Sequence, residues 1–305
     1  MNLTFLGTSA GCPTAERNVS AIILDLVQER GHLWLFDCGE ATQMQMQKAK
    51  FSLAKLELIC LTHLHGDHLF GLPGVLTTRS LMQNQSPLTL IAPKGIKQFI
   101  ETVTNISYSW LTYSLNIIEL EQDGVVFADE RFCIEAKQLQ HRVPCFGYRI
   151  IEKDRPASLN MAKLKQDNIN IGPLYAQLKQ GKTVTLDDGR VINGNDYLGS
   201  VKSGRKLAIL GDTIPCPASI ALAKNVDVMV HEATQEHALE AKASDRGHST
   251  TVQAATIAKQ AHAKRLIITH ISPRYSLKDS TRLVNEAKTV FTNTEIACDL
   301  AKFEL

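Results

Sequence analysis

Short apolar runs recur along the chain, and most of them stop abruptly at a polar residue. Asn2–Leu6 precedes Gly7-Thr8-Ser9, Leu33–Phe36 ends in Asp37-Cys38-Gly39-Glu40, and Leu58–Thr62 leads into His63. The shape returns at Leu88–Ala92 before Pro93, at Phe146–Ile151, and at Lys206–Leu210 before Gly211-Asp212. It returns again at Val226–Val230 before His231-Glu232 and at Arg265–Ile268 before Thr269-His270. Short β-favouring runs bounded by Gly, Pro or Asp predict buried strands, and Ala21–Leu26 with Leu33–Phe36 predicts a hairpin. Helical spacing fills the intervals: Ala41–Lys50, Lys94–Ile106 after Pro93, Ala218–Lys224 after Pro217, and Thr250–Ala261 with its Ala and Ile positions. This mixture predicts an α/β fold of two mixed sheets with helices outside, and no internal repeat.

Polar strand ends are where the chemistry gathers. Residues 61–74 read LTHLHGDHLFGLPG, so His63, His65, Asp67 and His68 fall within six positions behind an apolar run. Side chains alternate along extended backbone, so His63 and His65 point the same way and can share a cation. Asp67 and His68 lie where the chain turns into a helix and aim at a second point nearby. Imidazole and carboxylate suit zinc. Four residues do not complete two sites, so further ligands are required at other strand ends. His141 after Leu139-Gln140, Asp212 after Gly211 and His270 after Thr269 supply them. The expected allocation is His63, His65 and His141 on one ion and Asp67, His68 and His270 on the other. Asp212, with two oxygens, bridges them. A single histidine beside an apolar run is ordinarily a hydrogen-bonded structural residue, and His32, His237 and His262 are read as surface positions. Asp37 reads as a support for the metal ligands, with a hairpin cap as the alternative.

Composition narrows the setting. The chain has 305 residues, 44% hydrophobic and 21% charged, with a formal charge of +2. Nothing in that balance announces a nucleic-acid partner, so any basic surface is local. Residues 152–206 provide one: ten Lys/Arg against six Asp/Glu, a net of +4 that leaves −2 elsewhere. Within it Pro173 after Gly172 predicts the helix Pro173–Lys179. Asp188-Gly189 between Thr183–Leu186 and Val191–Ile192 predicts a hairpin. The seven cysteines are scattered without a C-x-x-C, and Cys60 and Cys133 read as small buried thiols inside apolar runs. The N-terminal MNLTFLGTSAG lacks the pattern of a secretory signal. The longest uncharged stretch, 102–118, is diluted by Thr, Asn, Ser and Tyr. These features lead to the expectation of a soluble, cytoplasmic protein without a membrane span.

The H-x-H-x-D-H run with its later His, Asp and His resembles the metallo-β-lactamase superfamily. Seven motifs together resemble ribonuclease Z, the tRNA 3′-processing endonuclease, and especially its bacterial form called RNase BN. They are GTSAG at 7–11, FDCGE at 36–40, LTHLHGDHLFGLPG, GDT at 211–213, HEAT at 231–234, RGHST at 246–250 and ITHIS at 268–272. The resemblance implies a four-layer αβ/βα sandwich over residues 1–305, with 152–206 inserted as a protruding arm whose glycine-proline element matches Gly172-Pro173. It implies a homodimer with two Zn2+ per subunit, acting on precursor tRNA to leave a tRNA 3′-hydroxyl and a 5′-phosphorylated trailer. A 3′-exoribonuclease activity is a possible accompaniment. Two cations at such a site can activate water and offset phosphoryl charge. Asp67 would then act as ligand and proton acceptor. His248 would be the general acid, with Glu232 orienting it and raising its pKa. Arg155, Lys163, Lys165, Lys179, Lys182 and Arg190 would contact phosphates, contributing affinity rather than sequence information. One departure stands out: where the family's first loop often reads P-x-K-x-R-N, this chain has Pro13-Thr14-Ala15-Glu16-Arg17-Asn18. Discrimination against CCA tails therefore loses its expected basic residue. Two other readings remain, a small-substrate phosphodiesterase or arylsulfatase on the same site, and an RNA-binding module with a structural metal.

Overall fold

The computed structural model describes residues 1–83, 85–154, 157–170, 172–200 and 203–305. The first six strands are β1 (Asn2–Gly7), β2 (Ala21–Leu26), β3 (His32–Phe36), β4 (Leu56–Cys60), β5 (Leu88–Pro93) and β6 (Leu115–Leu120). Next come β7 (Gly124–Ala128), β8 (Phe132–Leu139) and β9 (Cys145–Glu152), followed by β10 (Thr183–Thr185) and β11 (Val191–Asn193). The last are β12 (Lys206–Ile209), β13 (Val228–Glu232), β14 (Leu266–Thr269), β15 (Thr294–Ile296) and β16 (Lys302–Glu304). Among the described residues they form two seven-stranded sheets, ordered β16-β1-β2-β3-β4-β5-β6 and β15-β14-β13-β12-β9-β8-β7, with β10-β11 as a separate hairpin. Within them β3 through β6, and β12 through β15, run parallel to one another.

The strand β3 shows why such runs are apolar throughout. Its residues Leu33 and Leu35 join one core with the helices Thr42–Lys48, Leu72–Leu81 and Ile96–Ile106. Trp34 and Phe36 face the other way, their rings 5.2 Å from Phe127 of β7 and 5.9 Å from Tyr148 of β9. A strand covered on both faces has no polar side to show. The second sheet repeats the arrangement: Ala208, Met229, Leu266 and Ile268 pack with the helices Pro217–Ala223, Thr251–Gln260 and Ser280–Lys288. Between the sheets, Phe146 N donates to Thr62 O (2.8 Å) and the Tyr148 hydroxyl to Leu61 O (2.6 Å). The result is the helix–sheet–sheet–helix sandwich expected.

Local boundaries differ in instructive ways. The strand expected at 226–230 runs from Val228 to Glu232, which carries His231 and Glu232 into the sheet, where both are buried. Cys60 is buried, but Cys133 is only half-buried, because it faces the outer side of the alternating strand β8. Of the three histidines read as surface positions, His237 and His262 are exposed and His32 is half-buried in β3. No helix among the described residues is long and apolar enough to cross a membrane.

Tight backbone contacts hold the loops that follow β3 and β4. Cys38 N donates to His68 O and Gly71 N to Cys38 O, at 2.8 and 2.9 Å. A Cβ on Gly71 would sit 1.9 Å from Gly39 O. Gly71→Ala must therefore part these loops, and we expect it to cost about 1–3 kcal/mol in urea unfolding. An unchanged midpoint would show that the contact is dispensable.

The chain divides into two compact units, one of Met1–Ala128, Cys133–Ile151 and Lys206–Leu305, the other of Asp129–Phe132 and Glu152–Arg205. The smaller unit has its own core of Leu164, Ile169, Leu178, Val184 and Tyr197. Its second helix is Leu174–Lys179, with Pro173 at the cap position rather than in the first turn. Asp188-Gly189 lies in the loop of the β10-β11 hairpin, Gly189 at a φ of 84°. Glu152 is clasped by Arg205 (2.7 Å) and Arg131 (3.2 Å). Burial pushes its carboxyl up, but the two guanidinium groups outweigh it and hold the pKa at about 2.

Candidate metal centre

The carboxyl ends of parallel strands deliver the site, as open α/β sheets do generally. Asp37 follows β3, His63 follows β4, Asp212 follows β12, Glu232 closes β13 and His270 follows β14. Close approach of the two sheets requires Gly211, whose Cβ would meet Cys145 Sγ and Thr62 Cβ at 2.6 Å. Asp37 and His270 both hold left-handed backbone at φ 57°, a conformation most tolerated by Asp, Asn and His. The short helix Gly66–Leu69 turns Asp67 and His68 toward the same point.

All seven expected ligands converge. On one side His63 Nε2 lies 3.1 Å from His65 Nδ1, which lies 3.3 Å from His141 Nε2. On the other, His68 Nε2, His270 Nε2 and Asp67 Oδ2 lie 3.2–3.5 Å apart. Asp212 Oδ2 sits among them, 3.7 Å from His63, 3.6 Å from His68 and 3.4 Å from His270. His63, His68, Asp212 and His270 are buried.

The outward nitrogens of these rings show what the inward ones are. His68 Nδ1 meets Asp37 Oδ2 at 2.8 Å, and His141 Nδ1 meets the Gly247 carbonyl at 2.7 Å. Carboxylate and carbonyl oxygens only accept, so both Nδ1 atoms carry a proton, which leaves Nε2 as the atom each ring can offer a cation. Four further donors crowd Glu232: the amides of Thr213, Ser249 and Thr234 at 3.1 Å and the Thr234 hydroxyl at 2.7 Å. His248 Nδ1 adds a fifth contact at 3.0 Å. Lone pairs and carboxylates facing one another in a buried site call for a cation.

Ionisation follows the same logic. Burial works against charge on Asp67 and Asp212, but the facing histidines outweigh it and hold both carboxyls below the usual range. Burial pushes His63 well down, with His68 adding to the effect. Burial also opposes charge on Glu232, and the neighbouring His248 overcomes it. For His248 burial lowers the pKa, yet the Glu232 carboxylate prevails and raises it to about 9. Asp212, His248 and His270 also form a possible donor set. The nitrogen involved, His248 Nδ1, is the one already facing Glu232, which leaves Nε2 for a substrate.

The expected phosphate contacts fare unevenly. Arg155 lies outside the described residues. Arg190 pairs with Asp188 (2.7 Å) and donates to Asp167 O, and Lys163 donates to Asp196 O (2.9 Å) with its ammonium over the Tyr197 ring. Lys165, Lys179 and Lys182 are exposed, Gly172 is half-buried and Pro173 exposed. In the first loop Arg17 is buried, donating to Thr8 Oγ1, Ala297 O and Ser280 Oγ. Sequence reasoning did not find the supporting roles of Thr62, Thr234, the Gly247 carbonyl or Gly11, whose amide donates to Asp67 Oδ2 at 2.7 Å. The two threonines have a local signal: each lies beside a motif histidine or carboxylate at a strand end.

Comparison with known proteins agrees with this geometry. A model of the β-lactamase superfamily domain matches residues 164–271, and one of the anti-Pycsar protein Apyc1 matches residues 1–106. Ribonuclease BN of Proteus mirabilis is 54% identical over 305 residues, 100% of each chain. Ribonuclease Z of Geobacillus kaustophilus is 51% identical, covering 100% of this chain and 99% of its own. The chain belongs to the ribonuclease Z/BN family. The crystal structure of the short form of human tRNase Z shares 31% identity and superposes with a TM-score of 0.73, over 100% of this chain and 99% of that one. The ribonuclease Z/BN chain thus has the metallo-β-lactamase fold, which implies divalent metal. Its donors fit such an ion: tetrahedral bonds of about 2.0–2.1 Å to imidazole put neighbouring nitrogens roughly 3.3 Å apart, as the two trios have them.

Proposed function

We propose that this chain is a zinc-dependent endoribonuclease that removes 3′ trailers from precursor tRNA, leaving a tRNA 3′-hydroxyl and a 5′-phosphorylated trailer. The observation that carries the reading is the pair of donor trios sharing Asp212 beside the Glu232–His248 pair, in a chain 54% identical to a ribonuclease BN. His63, His65 and His141 would hold one Zn2+, Asp67, His68 and His270 the other, with Asp212 between them. Bound there, the ions supply charge to offset the phosphoryl oxygens and an acidified water.

The chain's own groups do the rest. Asp67, steadied by the Gly11 amide, orients the attacking water and accepts its proton. As the P–O3′ bond breaks, His248 passes the proton on Nε2 to the departing ribose oxygen, while Glu232 holds Nδ1 and stabilises the imidazolium. The same site can act repeatedly from a 3′ end, so a 3′-exoribonuclease activity belongs to the reading. With Ala15 in the first loop and Arg17 turned inward, no basic side chain of that loop's motif is free to repel a CCA end. The reading includes a cytoplasmic homodimer. Incubation of the metal-loaded protein with precursors that do and do not encode CCA, followed by sequencing of the 3′ ends, tests it. Cuts immediately past the discriminator or past CCA support the proposal, and intact precursor defeats it.

The 152–206 segment is proposed as the tRNA-binding arm, and Lys165, Lys179 and Lys182 are its best candidates because their side chains are exposed and no hydrogen bond or ion pair among the described residues occupies their ammonium groups. Replacing all three with alanine is expected to reduce the slope of log affinity against log salt for precursor tRNA by about two to three. A small chromogenic phosphodiester should be cleaved as before. Equal losses on both substrates would remove the arm from the account.

A further inference from the structure

Two buried carboxylates serve the centre, and they do so by the same plan. Asp37 meets His68 directly through Oδ2, and it also holds the hydroxyl of Thr62, 3.0 Å from each oxygen. That hydroxyl lies 3.0 Å from His63 Nδ1. Glu232 meets His248 directly through Oε1, and its Oε2 holds the hydroxyl of Thr234 at 2.7 Å. This second hydroxyl lies 3.0 Å from His270 Nδ1. Each carboxylate therefore reaches one imidazole directly and another through a threonine.

A hydroxyl has one proton. With an ionised carboxylate at 2.7–3.0 Å, that proton goes to the carboxylate, and the oxygen can then only accept from the ring. Nδ1 of His63 and of His270 must carry hydrogen, and Nε2 of each is left with its lone pair toward the ions. Thr62, Thr234, Asp37 and Glu232 are all buried, so water has no room to take over the relay. We propose that Thr62 and Thr234 are positioning residues, each fixing the tautomer of one ligand histidine, so that the two ion positions are tuned separately. The proposal rests on the metal-holding reading given above. Thr62 governs the position held by His63, His65 and His141. Thr234 governs the position held by Asp67, His68 and His270.

Valine keeps the shape of threonine and removes the hydroxyl. In Thr62→Val, His63 Nδ1 loses its acceptor and the ring is free to place its proton on Nε2, against the ion. Thr234→Val does the same to His270. The test is stepwise Zn2+ affinity of the full-length chain against a chromophoric chelator, with occupancy of each position read from anomalous scattering at limiting zinc. Each variant is expected to weaken its own position about 10–100-fold and leave the other within about threefold. Serine at either position should restore the parent values, and imidazole 15N shifts should report Nδ1–H in the parent and a mixture in the valine variants. Alanine gives the same readout if valine unfolds the chain. Affinities that do not change, or that fall together at both positions, overturn the proposal while leaving the centre intact. A parent protein that takes up no zinc overturns the metal reading itself.

Discussion

Replacing Asp212 with alanine is expected to reduce bound zinc from two ions per chain to one or none and to lower precursor tRNA cleavage by more than about 10²–10³-fold. Its carboxylate faces both halves of the centre. Its Oδ2 lies 3.4–3.7 Å from ring nitrogens of His63, His68, His270 and His248, which belong to both donor trios and to the pair proposed to transfer the proton. The side chain is almost wholly buried, so bulk solvent does not replace its charge. Without it, five imidazoles face one another with a single remaining ligand carboxylate, Asp67, on one side. Asp212→Asn separates charge from shape: it keeps the volume and one acceptor oxygen, so it should retain more zinc than alanine does. Elemental analysis of dialysed protein decides the matter. Two tightly held ions in the alanine variant would remove Asp212 from the bridging role.

What could be read in advance divides along physical lines. The central strands β1 to β5, β9 and β12 to β14 are covered on both faces, and continuous apolar runs betray them. Of the four edge strands of the two large sheets, β6, β15 and β16 offer no such run, and β7 offers only the short GVVFA. In β6 only Leu120 is fully buried, and its sequence mixes Asn and Glu with apolar residues, while β7 has no buried residue at all. The strand β8 alternates from Phe132 to Lys137, with Glu135 and Lys137 outward, and so lacks a run as well. Edge strands obey partners on one side only, and their local sequence says correspondingly little.

The site was legible where residue type is rare and costly. Three imidazoles and an aspartate behind a strand have few uses, and the later His141, Asp212 and His270 sit at strand ends of the same form. What escaped was the supporting layer. Thr62 and Thr234 are ordinary strand-end residues until the carboxylates beside them are located in space, and a carbonyl such as that of Gly247 has no sequence signature. Arg190 shows the converse: as a letter it is a cation available to a phosphate, whereas the fold engages it with Asp188 and Asp167.

The second large effect concerns a residue whose loss should spare the metals. His248→Ala is expected to keep both ions, because the seven proposed ligands, the two donor trios and Asp212, all remain, and to slow cleavage by about 10²–10⁴-fold. The deficit should fall on kcat, since the proton is needed only as the P–O3′ bond breaks, and it should shrink for a substrate whose leaving oxygen departs without protonation. A chromogenic phosphodiester with a nitrophenolate leaving group is such a substrate. Glu232 makes the pH dependence specific. His248 is raised from 6.5 to about 9 by the Glu232 carboxylate, so its acid form persists through neutral pH and is lost only as pH rises through that value. Glu232→Gln removes the charge, lowers the His248 pKa, and should move the alkaline limb of the rate profile toward acid. A profile that does not move, or a His248→Ala protein that sheds an ion, would place His248 among the ligands, the alternative that its 3.7 Å approach to Asp212 leaves open.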